Sequence, residues 1–251
     1  MAAGDDEKPE RSATVSAFSL DEFEVTVGRF RRFVEQWDYL PPPPGAGAHP
    51  KIPNSGWRTR WNSKLPDSRT ELEASIGWLT GSTWNHGDET KPINCVGWYL
   101  AFAFCAWDGG RLPTESEWEY AAAGGEQDRE FPWGSLEPNL DLAVWGCTFG
   151  GNPGLCTKED LAPVGSKPLG AGRWGHLDLG GSMTEWVLDA YGPYPATATS
   201  DYALAVDSPA RVFRGGAWPL SPLTLRSAHR EAGASVGEAF DWQGVRCARS
   251  E

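Results

Sequence analysis

Val96-Gly-Trp-Tyr-Leu-Ala-Phe-Ala-Phe-Cys-Ala-Trp107, continued by Asp108-Gly-Gly-Arg-Leu-Pro-Thr-Glu-Ser-Glu-Trp-Glu-Tyr120, is the stretch on which the fold turns. Its first part is a nearly all-apolar helix candidate, with Gly109-Gly110 as the C-terminal stop. Thr114-Glu-Ser-Glu117 is a capping box, with Thr114 as N-cap and Glu117 at the third helical position. The helix it opens carries Trp118 and Tyr120 and stops at Gly124-Gly125.

Toward the N-terminus, Ala17-Phe-Ser-Leu-Asp-Glu-Phe-Glu-Val25 alternates as a strand does. Thr26 then caps a helix with Val27, Phe30, Phe33, Val34 and Trp37 on one face, stopped by Pro41 to Pro44. Residues 41–95 carry little periodicity. An irregular insertion over about 41–90 is expected, with a short helix near Glu71–Ile76 and with Trp57, Trp61, Trp78 and Trp84 as pins. Beyond residue 125 only short strand-like pieces remain, Ala162-Pro-Val-Gly-Ser166, Arg211-Val-Phe-Arg214 and Gln243-Gly-Val-Arg-Cys247, separated by Gly and Pro. No internal repeat or linker divides the chain, so one domain is expected over 17–251. Residues 1–16 read as a disordered leader, and Met1–Glu10 lacks the apolar core of a signal peptide.

Composition agrees with an α+β fold low in regular structure. The 251 residues include 14 Trp, 30 Gly and 20 Pro, which suits large aromatic anchors joined by turns. Lys and Arg number 22 against 34 Asp and Glu, a net charge of −12. That excess argues against a nucleic-acid partner and is compatible with cation binding or with a solvated acidic surface. No apolar run approaches the roughly 20 residues of a membrane-spanning helix. Five cysteines are present. Cys147 and Cys156 bracket a turn-rich loop that a disulfide closes easily, Cys105 ends the apolar run, and Cys247 lies in the last strand-like piece. They are either buried free thiols or, as favoured here, two disulfides plus a buried Cys95, which implies an oxidising compartment.

The central block, Pro92-Ile-Asn-Cys-Val-Gly-Trp98 and Ala103 to Gly125, resembles that of the formylglycine-generating-enzyme (sulfatase-modifying factor) family. Further blocks follow in the family's order: Glu24-Val-Thr26, Phe131-Pro-Trp-Gly134, Asp178-Leu-Gly-Gly-Ser-Met-Thr-Glu-Trp186, Arg214-Gly-Gly-Ala-Trp218 and Gly244-Val-Arg-Cys-Ala-Arg249. The resemblance covers about residues 17–249. It implies a fold related to C-type lectin domains and a structural disulfide between Cys105 and Cys247.

Members of that family oxidise a substrate cysteine with copper(I) held by two thiolates, since soft sulfur ligands select Cu(I). Anchored on His229-Arg230, the two family positions fall on Ala228 and Gly233, neither of which binds metal. Copper is therefore not expected, and no catalytic residue is assigned. His49, His86, His176 and His229 lack the spacing of a non-haem iron site. Ser227 and His229 are read as polar pocket or surface residues rather than nucleophile and base. Glu115, Glu117 and Glu119 are read as capping and solvated-face residues.

Calcium takes about six to eight oxygen ligands from carboxylates and carbonyls. The resemblance implies a site from the Asp178 and Glu185 side chains and the carbonyls of Gly181 and Met183; the alternative is a metal-free turn of hydrogen-bonded acids. A second family site needs an Asn near Val144 and an acid near Asp160, and only the acid is evident.

The expected function is a non-catalytic module binding a protein, peptide or small-molecule ligand, as a monomer in an extracytoplasmic setting (secreted, periplasmic or lipid-anchored). The layout resembles retroelement-diversified variable proteins of the same fold, with Trp218, Arg226, Ser227, His229, Arg230 and Trp242 as the ligand-binding set. Core packing and salt bridges are the competing roles for these Trp and Arg residues. Two other readings stand beside this one, an oxidoreductase with altered metal-dependent chemistry in the same cavity and a structural envelope component.

Overall fold

The computed structural model describes residues 7–150, 156–233 and 239–251. In chain order they form β1 (Ala13–Thr14), β2 (Phe18–Leu20), α1 (Val27–Gln36), α2 (Arg69–Gly77), α3 (Trp98–Trp107), α4 (Glu115–Ala123), β3 (Thr184–Ala190), β4 (Thr199–Ser200), β5 (Arg211–Arg214), β6 (Arg230–Ala232), β7 (Gln243–Gly244) and β8 (Ala248–Ser250), with short 3-10 turns between. Helix is about 26% and strand about 13%. Both lie below the usual share for a globular protein, as an α+β fold low in regular structure should.

Helix α3 is the axis of the core. Apart from its last two residues, every side chain along it is buried, which is what an all-round apolar helix requires. Phe30 and Phe33 of α1 pack on Phe104, while Trp57 and Trp61 of the insertion pack on Phe102. On the sheet side the two indoles cross: Trp98 Nε1 donates to the Val187 carbonyl and Trp186 Nε1 to the Val96 carbonyl, both at 2.8 Å. The central sheet has the order β6-β5-β3-β7, and β3 is buried along its whole length. β2 pairs antiparallel with β8, bringing the two ends of the chain together.

The capped helices form as their residues dictate. Thr26 accepts from Arg29 N at the start of α1, and the reciprocal Thr114–Glu117 box opens α4. Both disulfides are present, Cys105–Cys247 across 142 residues and Cys147–Cys156 across 9, with Cys95 a buried free thiol.

Three expectations are corrected. Residues 7–16 are not a disordered leader: Glu7 is buried and β1 pairs parallel with β4. Residues 1–6 of that leader lie outside the described residues, as do 151–155 of the Cys147–Cys156 loop and 234–238. Trp78 is 66% exposed and pins nothing, whereas Trp57, Trp61 and Trp84 are buried. Ala162–Ser166 forms no strand and instead turns, with Val164 N donating to the Thr90 carbonyl.

Candidate functional site

The segment from β5 to β7 carries the six residues expected to bind ligand, and the fold divides them. Trp218 is buried and donates from Nε1 to the Asp241 carbonyl at 3.1 Å. Trp242 is part-buried against the cluster that holds Trp218, Val144 and Met183, and its ring stacks on Phe240 at 4.6 Å. Arg230 is 3% exposed and bidentate to Glu115 at 2.8 and 2.9 Å. Burial removes Trp218 and Arg230 from the surface they were expected to line. Ser227 is also buried, and among the described residues its hydroxyl has no hydrogen-bonding partner. Arg226 and His229 remain part-exposed: Arg226 grips the Glu7 carboxylate with both terminal nitrogens, and His229 Nε2 lies 2.8 Å from Glu231 Oε1.

Beneath this segment runs a charged network that the sequence did not disclose. Arg214, the buried last residue of β5, donates to the carbonyls of Ser227 and Ala228 and to Glu119 Oε2. Glu115 and Glu117 are not solvated: each is buried and paired with a guanidinium, Arg230 for Glu115 and Arg111 for Glu117. Asp189 of β3 accepts from the backbone N–H of Glu115 and of Leu204, and burial, with Glu115 nearby, pushes its carboxyl up to about 7. Arg214 thus fixes the backbone of 227–228 from below.

Of the two positions aligned with the family's thiolates, Ala228 offers its carbonyl to Arg214. Gly233 packs so closely under Trp186 that an added Cβ would lie 2.6 Å from the indole. A Gly233→Cys variant is expected to lose about 1–3 kcal/mol by overpacking, read as a lower denaturation midpoint with an unchanged denaturant slope. Thiol accounting leads to the same end. Four cysteines are in disulfides, and burial pushes the remaining Cys95 thiol up to about 12, beside Asp241. A thiol so raised is neither a good nucleophile nor a ready soft ligand.

The implied calcium turn can be tested against its donors. Asp178 and Gly181 hold left-handed backbone at φ 58° and 92°, and a Cβ on Gly181 would lie 2.4 Å from the Val144 carbonyl. Asp178 accepts from Gly165 N at 2.5 Å. Glu185 is committed elsewhere: both its oxygens take Arg246 donors, at 2.6 and 2.7 Å, and Oε2 also accepts from Trp118 Nε1. Glu24, which sequence reasoning did not place here, accepts from Met183 N through Oε1, and among the described residues its buried Oε2 has no partner other than the Asp178 carboxyl. Burial, reinforced by Asp178, holds the Glu24 carboxyl well above its ordinary range; burial likewise raises Asp178. Glu24 and Asp178 share a side-chain hydrogen bond, and their carboxyl oxygens with the neighbouring carbonyls are donors of the kind a hard divalent cation takes. Among the described residues no group of three or more His, Cys, Asp or Glu is arranged to hold a metal by side chains alone. Asp160, the acid of the second family site, instead accepts from the N–H groups of Gly150 and Thr157.

The architecture is a formylglycine-generating-enzyme fold, related to C-type lectin domains. The sulfatase-modifying factor enzyme 1-like domain matches residues 1–251, and the chain belongs to that family. It is 31% identical to the inactive C-alpha-formylglycine-generating enzyme 2 of Mus musculus, over 98% of this chain and 79% of the relative. It is 30% identical to the hercynine oxygenase of Mycolicibacterium smegmatis over 90% of this chain, and spans about half of that protein, 51% of its length. Treponema denticola variable protein 1 shares the fold, with a TM-score of 0.63, 23% identity and coverage of 96% of this chain and 87% of that one. Among the described residues no helix is long and apolar enough to cross a membrane.

Proposed function

We propose that this family member is a non-catalytic module that binds a protein, peptide or small-molecule ligand in an oxidising, extracytoplasmic setting. The observation that carries this reading is the thiol count: with four cysteines in disulfides and Cys95 buried and alone, no pair of thiolates is left for copper(I). Two disulfides support the oxidising compartment, and the likeness to an inactive mammalian relative supports the absence of turnover. The test is competition for Cu(I) against a chromogenic chelator. The expected result is no retained copper, and one equivalent held by the protein would overturn the reading. On the binding side, Trp242→Ala is expected to weaken capture of ligands found by screening peptides and glycans.

Calcium at the Asp178–Glu185 turn belongs to the same proposal, supported by the buried Glu24 carboxyl lying beside that of Asp178. Removal with EDTA is expected to lower the melting temperature by several degrees, as loss of any ligand specific to the native state does. Identical melting with EDTA and with millimolar calcium would remove calcium from the account.

The similarity to hercynine oxygenase favours one competing reading, an oxidoreductase with altered metal-dependent chemistry. Stoichiometric iron in the purified protein, together with oxygen consumption on thiol substrates, would establish it.

A further inference from the structure

The side chain gripped by Arg226 comes from 219 positions away in sequence. Glu7 Oε2 accepts from Arg226 Nη1 at 3.0 Å, Glu7 Oε1 accepts from Nη2, and His229 Nδ1 lies 3.8 Å from Glu7 Oε1. Four residues on, the Arg11 guanidinium lies over the Tyr194 ring at 3.8 Å from its centroid. β1 then adds two residues of parallel pairing to β4, and Ser16 donates to Asp201. Between these anchors Lys8, Pro9, Glu10, Ser12, Ala13 and Thr14 are exposed.

A buried carboxylate is costly unless a charged fork satisfies it, and the Arg226 guanidinium supplies such a fork. We infer that Arg226, His229 and Tyr194 form a peptide-binding site for a segment bearing a Glu and, four residues later, an Arg. The chain's own residues 7–14 fill this site as a displaceable strap. The inference rests on the binding-module reading and adds a ligand class and a cis occupant to it. Peptide rather than a free carboxylate is indicated because the occupant also engages through its backbone, Ala13–Thr14 pairing with the β4 edge at Thr199–Ser200.

A tethered occupant competes at an effective concentration on the order of millimolar, so a free peptide should bind poorly until Glu7 is neutralised. The test uses the full chain and a fluorescent acetylated peptide of residues 7–14, Glu-Lys-Pro-Glu-Arg-Ser-Ala-Thr. Expected is binding at least tenfold tighter to the Glu7→Gln chain than to wild type. A peptide carrying Gln for its first Glu should fail to bind. Arg226→Ala in the Glu7→Gln chain should abolish binding, and Arg226→Lys, with the charge but not the fork, should weaken it; a melting curve on each variant separates site loss from misfolding. Equal affinity for wild type and Glu7→Gln, or no binding to Glu7→Gln, would overturn the inference. Either outcome leaves the binding-module reading standing, because that reading falls only on copper retention or turnover.

Discussion

Arg246→Ala is expected to cost about 3–5 kcal/mol, the penalty for stranding buried charge by removing one partner of an ion pair. Arg246 has no solvent exposure, is bidentate to Glu185, and also donates to the carbonyls of Asp21, Glu22 and Leu177. Its loss leaves Glu24, Asp178 and Glu185 facing one another with no guanidinium and unties the segment after β2 from the turn before β3. Glu185→Gln should cost less, because Arg246 retains Glu24 and Asp178 as charge partners. Chemical denaturation of the two variants checks the order, and an Arg246→Ala chain as stable as Glu185→Gln would contradict it. At roughly 2–4 °C per kcal/mol for a chain of this size, the expected fall in melting temperature for Arg246→Ala is about 10 °C.

Replacing Cys105 and Cys247 together by Ala is the second large effect. The bridge spans 142 residues, and the chain-entropy account assigns a loop of this length about 5 kcal/mol, with measured losses of about 2–5 kcal/mol. It ties the end of α3 to the segment between β7 and β8, joining the helical core to the last strand that closes on β2. Cys147–Cys156 spans only 9 residues, for which the same account gives about 3 kcal/mol. Denaturation midpoints of the two double variants should therefore separate, with the Cys105/Cys247 pair the weaker. A larger loss from the short bridge would mean that native contacts, rather than closure of the long loop, set the contribution.

The elements legible in the sequence were those coded locally. The face of α1, the Thr114 capping box and the apolar run of α3 depend on neighbours three or four positions away, and all three formed as read. The strands were less legible because they are two to seven residues long and take their partners from remote segments. Ala13–Thr14 carries no pattern of its own and is a strand only because Thr199–Ser200 lies beside it. At the candidate site, the turn of Asp178 to Glu185 and the segment 226–230 could be picked out from the sequence as candidates. What each acid faces was not legible. Glu115 and Glu117 look like surface residues of a capped helix until Arg230 and Arg111 arrive from elsewhere, 115 and 6 positions away. Glu24 joins Asp178 only when β3 and the N-terminal segment pack together. The one signal available was compositional: an arginine such as Arg214 or Arg246, set in an otherwise apolar strand-like piece, must find a buried carboxylate.

Whether the protein turns over a thiol is decided by aerobic incubation with copper(I) and a cysteine-containing peptide, followed by mass spectrometry of the peptide. The peptide should be recovered with no formylglycine beyond a protein-free control, because Cys95 is the one cysteine outside the disulfides and it is buried. Formylglycine above that control, dependent on the protein and on copper, would contradict the non-catalytic reading.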